Sequence, residues 1–362
     1  MTQAVNLAKL GSSGGPTIDS SGNITTTGVV SMASSFMRNR IINGDMRIDQ
    51  RNAGASVTQN TSGIYTVDRW CAYGSANAKF TIQRNAASVT PPAGFTNYAG
   101  CTSSSAYTAG AAEEFDFYQY IEGYNIADLA WGTANAKTVT LSFWVRSSLT
   151  GTFGAQIANY NSSRSYPFSY TISSANTWEQ KTVTITGDTT GTWYTDNSAG
   201  MLVNFSLGAG SSKSGTANTW QAGNYTQPTG STSVVGTSGA TFYITGVQLE
   251  IGTSATPFER RLYGQELMNC QRYYEILYTI LCAYGNGSNG VYASVPMKVS
   301  KRATPTGVVV STDSEVNVVG SVTLASGGTT DRNPHTIMLT YTGAPSTGFT
   351  RAGANITLSA EL

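Results

Sequence analysis

Histidine occurs once in the 362 residues, at His335 in the stretch RNPHTIMLT. A nucleophilic triad needs a base and a group that orients it, and neither GxSxG nor HExxH accompanies this imidazole. His335 therefore reads as a surface residue at a strand start, and metal centres built from several imidazoles are excluded. The stretch EEFDFYQYIEG gathers Glu113, Glu114, Asp116 and Glu122, and two carboxyl groups are what glycoside cleavage requires. A structural hydrogen bond is the competing role for them. GNGSNG, Gly285 to Gly290, has the letters of a dinucleotide-binding GxGxxG. That motif must open a helix, whereas the strand-like VYASVPM follows, so a hairpin turn is expected. No catalytic residue, metal or cofactor is expected.

What remains is the chemistry of rings beside polar groups. Aromatic faces stack on the apolar CH patches of a pyranose while neighbouring polar groups bind its hydroxyls. In KTVTLSFWVRSS, period-two alternation sets Val139, Leu141, Phe143 and Val145 against Thr140, Ser142, Trp144 and Arg146. In EFDFYQYIEG it sets Phe115, Phe117, Gln119 and Ile121 against Asp116, Tyr118, Tyr120 and Glu122. If the two strands are neighbours, Tyr118, Tyr120, Glu122, Trp144 and Arg146 form one patch, suited to a glycan or equally to another protomer or an N-terminal arm. Trp178, Trp193, Tyr194, Trp220 and Tyr225 fall in or near turn-rich stretches. They are loop-borne receptor contacts or plugs for the ends of a sandwich.

The elements that must position these residues are strands. Only 11% of residues are charged, while Gly (39), Tyr (20), Ser and Thr abound, a composition that fits pleated strands and tight turns. With a net charge of +1 there is no basic footprint for a polyanion, so nucleic acid is not expected as a partner. No apolar run is long enough to span a bilayer, and the N-terminus lacks the order of a signal peptide, so neither membrane insertion nor secretion by that route is expected. Cys71, Cys101, Cys270 and Cys282 form no CxxC pair and read as free, buried thiols.

The expected fold is all-β. Residues 1–37, polar and rich in Gly, Ser and Thr, form an extended docking arm; residues 38–258 form a two-sheet sandwich; residues 259–275 form a short helical linker; residues 276–362 form a second, smaller β domain. The linker region TPFERRLYGQELMNCQRYYE concentrates Glu259, Arg260, Arg261, Glu266, Arg272 and Glu275 in a chain otherwise poor in charge. Leu267, Cys270, Tyr274, Leu277 and Leu281 are spaced alternately three and four apart, one heptad seam. Helix is expected to about Tyr274 and strand beyond it. The seam would join copies of the chain, or it would pack on its own domain.

The motifs IINGDMRIDQRNAG, YTVDRW, YQYIEGYNIADLAWGTANAKTVTLSFWVRSS, TFYITGVQLEIGTSATPFERR and ELMNCQRYYE, in this order, resemble a recurrent module of tailed-bacteriophage virion proteins, chiefly tail fibres and receptor-binding proteins. The resemblance covers about Arg38 to Glu275, and KRATPTGVVV resembles the β domain that often follows. The first module is similar to jelly-roll carbohydrate-binding modules. Many of those carry an Asp near a structural calcium in the closing strand, where this chain has Ile244, Thr245 and Gly246. The resemblance implies a homotrimeric, non-enzymatic virion protein assembled in the bacterial host cytoplasm. Its partners would be a host-surface glycan and, through the arm, a tail adaptor or the capsid. A capsid head fibre and a polysaccharide-degrading tailspike are the alternatives.

Overall fold

The computed structural model describes residues 38–285, 292–316, 321–324, 336–342 and 348–362, together with a small antiparallel pair, Thr17–Ile18 with Ile24–Thr25. The rest of the expected arm, His335 and the GNGSNG turn beyond Gly285 lie outside these residues. The chain divides into two compact units, Met1–Arg38 and Asn39–Leu362, and the second carries two large antiparallel sheets. In chain order their strands are β1 (Val57–Thr58), β2 (Ile64–Tyr65), β3 (Cys71–Gly74), β4 (Phe80–Arg84), β5 (Ala99–Ser103), β6 (Glu114–Glu122) and β7 (Val139–Ser147). They continue with β8 (Gly151–Asn159), β9 (Arg164–Ile172), β10 (Glu179–Ile185), β11 (Ala199–Ala209), β12 (Gln221–Ala222) and β13 (Thr241–Ile251). The seven-stranded sheet runs β12-β9-β8-β11-β6-β3-β2 and the six-stranded sheet β10-β7-β13-β5-β4-β1.

Alternation explains how the sheets meet. On β6, Phe115, Phe117, Gln119 and Ile121 turn inward and are buried; on β7, Val139, Leu141, Phe143 and Val145 do the same. Ring contacts cross the gap: Phe143 packs edge-on against Phe205 and Tyr170 of the opposite sheet, both at 5.0 Å between centroids, and Phe153 stacks on Phe242 at 6.2 Å. Such buried rings dominate a core energetically, at roughly 3–5 kcal/mol lost per truncation to alanine.

The opening segment IINGD is threaded between sheet, closing strand and helix. The inward amide of Gln119 pairs with both backbone groups of Ile42, accepting from its N–H at 2.9 Å and donating to its carbonyl at 2.8 Å. Asn43 takes a left-handed conformation (φ 58°), which Asn tolerates better than most residues. Its side chain caps Ile48 and Asp68. A Cβ at Gly44 would sit 2.1 Å from the Val247 carbonyl oxygen, so only glycine lets this turn close on β13.

Beyond β13, the charged region runs into helix α1 (Tyr263–Gln271), followed by β14 (Tyr274–Gly285), β15 (Tyr292–Pro296), β16 (Thr306–Val316), β17 (Ser321–Leu324), β18 (Thr336–Thr342) and β19 (Gly348–Ser359). These pair as two three-stranded sheets, β14-β19-β16 and β15-β18-β17. Helix gives way to strand at Tyr274 as expected. The helix stops at Gln271, Leu267 and Cys270 pack against Ile42, Ile48 and Tyr273 of their own chain, and Tyr274, Leu277 and Leu281 lie on β14. A helix of about two turns gains little on its own, whereas β14 pairs with β19 along its full length, from Tyr274 opposite Ser359 to Gly285 opposite Gly348.

The linker charges are used inside the chain. Glu259 accepts from the N–H of Asn39 at 2.9 Å, Glu266 accepts from the N–H of Asn43, and Arg261 bridges Glu259, Glu266 and the carbonyls of Asn39 and Ile41. Glu275 and Lys301 form an ion pair with both side chains fully buried, and Lys301 also donates to the Gln271 carbonyl. Removing one partner of such a pair strands a buried charge, at a cost of about 3–5 kcal/mol. Lys301→Ala is therefore expected to lose about that much in urea unfolding. The double change Glu275→Leu with Lys301→Met should recover most of it. A single variant as stable as the parent would refute the anchoring role.

Candidate functional site

The outer face of the seven-stranded sheet carries an open groove. Strand register builds its floor. Tyr118 of β6 lies opposite Asn204 of β11, which lies opposite Gln156 of β8, so one row across three strands places a ring and two amides side by side. The next row pairs Asp116 with Tyr73 of β3. Tyr120 and Leu202 form the row on the other side. The rings of Tyr118 and Tyr120 meet edge-on at 5.4 Å.

Polar groups in the groove form two short chains. Asn204 Nδ2 donates to Asp116 Oδ1 at 2.8 Å, Asn224 Nδ2 donates to Glu114 Oε2 at 3.0 Å, and Gln156 Nε2 reaches Asn224 Oδ1 at 3.4 Å. Lys213 pairs with Glu114 at 3.0 Å. Burial, and next the charge of Glu114, hold the Asp116 carboxyl well above the usual carboxylate range, against the opposing Asn204 hydrogen bond. Three buried lining groups, Gln156 Oε1, Asn204 Oδ1 and Thr226 Oγ1, have no hydrogen-bond partner among the described residues. An unsatisfied buried polar atom costs about 1–3 kcal/mol and is uncommon in folded proteins.

Of the residues expected to bind sugar, only Tyr118 and Tyr120 line this groove, joined by Glu114 and Asp116 of the acidic stretch. The single five-residue patch is not formed, because β6 and β7 belong to different sheets. Trp144 and Arg146 face outward from the six-stranded sheet. There Arg146 donates to the Asn176 carbonyl at 2.9 Å and lies 5.4 Å from the Tyr243 ring centroid. Trp144 sits beside Gly246, whose φ of 62° marks the bulge in β13. Glu122 is buried rather than available: Arg272 grips both of its oxygens, at 2.9 and 2.5 Å, and the Tyr273 hydroxyl donates to it at 2.6 Å.

The loop tryptophans serve packing. Trp193 and Trp220 meet Trp131 in an edge-on cluster, with centroids 4.7 to 5.6 Å apart, at the end of the sandwich where β6 and β10 finish. Each indole N–H is used on a backbone carbonyl, those of Lys137, Thr190 and Thr186. Trp178 lies edge-on to Tyr98 at 5.5 Å and donates to the Thr90 carbonyl. Glu113 is held by the Tyr107 hydroxyl and the N–H of Gly110. Cys71, Cys101 and Cys270 are free and buried, and burial pushes the Cys71 thiol up to about 12. Among the described residues, no group of three or more His, Cys, Asp or Glu is placed to hold a metal ion, and no helix is long and apolar enough to cross a membrane.

Sequence reasoning missed Tyr73, Gln156, Asn204 and Asn224. The signal was present for two of them: in AGMLVNFSLG, Met201, Val203, Phe205 and Leu207 point inward, which leaves Asn204 as a polar outward residue, and Gln156 stands likewise between Ala155 and Ile157.

No protein-family model and no curated protein matches the chain. Solved structures give weak, partial likenesses. The enzymatically active domain of tailspike protein 4 of bacteriophage CBA120 aligns at 12% identity and a TM-score of 0.32, covering 59% of this chain and 22% of that one. This chain thus matches under a quarter of that tailspike structure. A CBM4 structure aligns at 17% identity and a TM-score of 0.29, covering 58% of this chain and 98% of its own. A family 11 carbohydrate-binding module from Clostridium thermocellum, in complex with a mixed-linked tetrasaccharide, aligns at 11% identity and a TM-score of 0.28, over 57% of this chain and 100% of its own.

Because Trp193 is part of the core cluster, Trp193→Ala is expected to cost about 3–5 kcal/mol of stability, read by thermal or urea unfolding. An unchanged unfolding midpoint would show that the ring does not support the fold.

Proposed function

We propose that this chain is a glycan-binding attachment protein of a tailed-phage particle, with the groove on the seven-stranded sheet as its sugar site. The observation that carries the reading is the meeting, in one groove, of the Tyr118 and Tyr120 rings with buried Gln156, Asn204 and Thr226 oxygens that lack partners among the described residues. The rings offer stacking surface and the oxygens accept from sugar hydroxyls, which is how an oligosaccharide is held and oriented. The virion assignment rests on the ordered motifs of the sequence. It takes the two-sheet sandwich as a jelly roll, the N-terminal residues as a docking arm on a tail adaptor or the capsid, and a head fibre as the alternative placement.

The reading is of a protein that binds without cleaving. Glu113 and Glu122 are held by structural hydrogen bonds, and Glu114 is ion-paired with Lys213. That leaves Asp116 without a second free carboxyl group in the groove. Reducing-sugar release from host polysaccharide would reverse this.

Copies of the chain would meet through an apolar sheet face rather than a helical seam. Ile276, Tyr278 and Ile280 of β14 and Val308 and Val310 of β16 are all exposed, and Ile276 and Val308 flank the same residue, Thr357 of β19. In a homotrimer, three such chains raise effective concentration without any new sugar contact. Ile276→Asp combined with Val308→Asp is expected to shift sedimentation toward the single chain; an unchanged species rules this face out.

Tyr120→Ala is expected to weaken retention on host-envelope glycan by about tenfold, equivalent to about 1.4 kcal/mol, in affinity electrophoresis, with the fold checked by melting. Trp144→Ala, on the other sheet, should leave retention unchanged. The opposite pattern would move the site off the groove.

A further inference from the structure

Resting on the reading of the groove as a sugar site, we propose that it selects saccharides bearing free amino groups, and that the ligand ammonium docks against Asp116. The lining contains two carboxylates, Glu114 and Asp116, and no cationic side chain. Lys213 reaches the edge of the set, and its contact is to Glu114. The amide orientations follow from chemistry. Beside a bound ammonium Asp116 is ionised and only accepts, so Asn204 turns its NH₂ toward Asp116 as Asn224 does toward Glu114. The Asn224 oxygen then faces the Gln156 NH₂.

The amide donors are consequently used within the network, while Gln156 Oε1 and Asn204 Oδ1 have no partner among the described residues. Asp116 receives its one side-chain hydrogen bond on Oδ1, so Oδ2 is left for a ligand. A surface of unpaired acceptors demands a ligand that donates. A uronate, sulfate or phosphate sugar brings a like charge against the groove's carboxyl groups, which selects against it. A neutral hydroxyl donates one hydrogen bond and brings no charge to Asp116, whereas Glu114 already has Lys213. An ammonium donates three and supplies the opposite charge. It also counters the burial and the Glu114 charge that favour the protonated form of Asp116.

The test is calorimetric titration of the full chain with four probes at slightly acidic pH, where sugar amines are protonated. The probes are a β-1,4-linked glucosamine oligomer, its fully N-acetylated counterpart, a neutral β-glucan oligomer and an oligogalacturonate. The glucosamine oligomer is expected to bind at least about tenfold tighter than the acetylated one, with the advantage shrinking as salt is added. Asp116→Asn should erase the difference between the two; if that variant does not fold, Glu114→Gln should reduce it. Equal binding of the free-amine and acetylated oligomers, tighter binding of the acidic oligomer, or an advantage that survives Asp116→Asn overturns the ammonium assignment and leaves the saccharide groove standing. Failure of every probe to bind overturns both.

Discussion

A buried guanidinium holds the molecule's parts in one arrangement. Arg69, with 2% of its surface exposed, donates to the Tyr120 carbonyl at 2.6 Å, pairs with Glu361 and lies 3.5 Å from the Tyr273 ring centroid. It therefore touches the groove strand, the residue that follows the helix and the last strand's exit. Burial alone would lower its pKa; Glu361 and the neighbouring tyrosines more than offset that and keep it charged. A charge placed so deep is tolerable only if its partners stay in place, so a shift of the distal strands that withdraws Glu361 leaves Arg69 buried and unpaired. Arg302 repeats the device nearby, donating to the carbonyls of Asn197, Ala360 and Glu361.

This explains why a sequence so poor in charge concentrates it after the closing strand. Neutral strands of Ser, Thr, Gly and aromatics pair and pack well but carry little that fixes how one element sits on another. Glu259, Arg261 and Glu266 fasten the opening segment, Arg272 with Tyr273 captures Glu122, and Glu275 with Lys301 locks the start of the distal sheet. Directional, charge-assisted bonds supply the geometry that nonspecific burial does not.

The strands were legible because inward and outward residues alternate, and Phe143, Phe117 and Val203 face the core as their spacing requires. Sheet membership was not legible. Whether β6 neighbours β7 depends on long-range pairing, and the chain between them crosses from one sheet to the other, which parted Tyr118 from Trp144. The change from helix to strand near Tyr274 was legible from the β-type residues of YYEILYT, whereas the partner strand β19, which draws Tyr274 onward into a ladder, was not. Within the groove, the tyrosines announced themselves by type. Gln156 and Asn204 become meaningful only when register lines them up beside Tyr118.

The full-length ladder between β14 and β19 has a mechanical consequence. Both strands leave the sandwich side by side, at Tyr274 and Ser359, and both reach its far end together, at Gly285 and Gly348, about 40 Å away at ordinary strand rise. Tension applied at that tip is carried by two covalent backbones at once. The force arrives at the base, where Glu275, Arg302 and Glu361 are clamped, instead of peeling the ladder apart rung by rung.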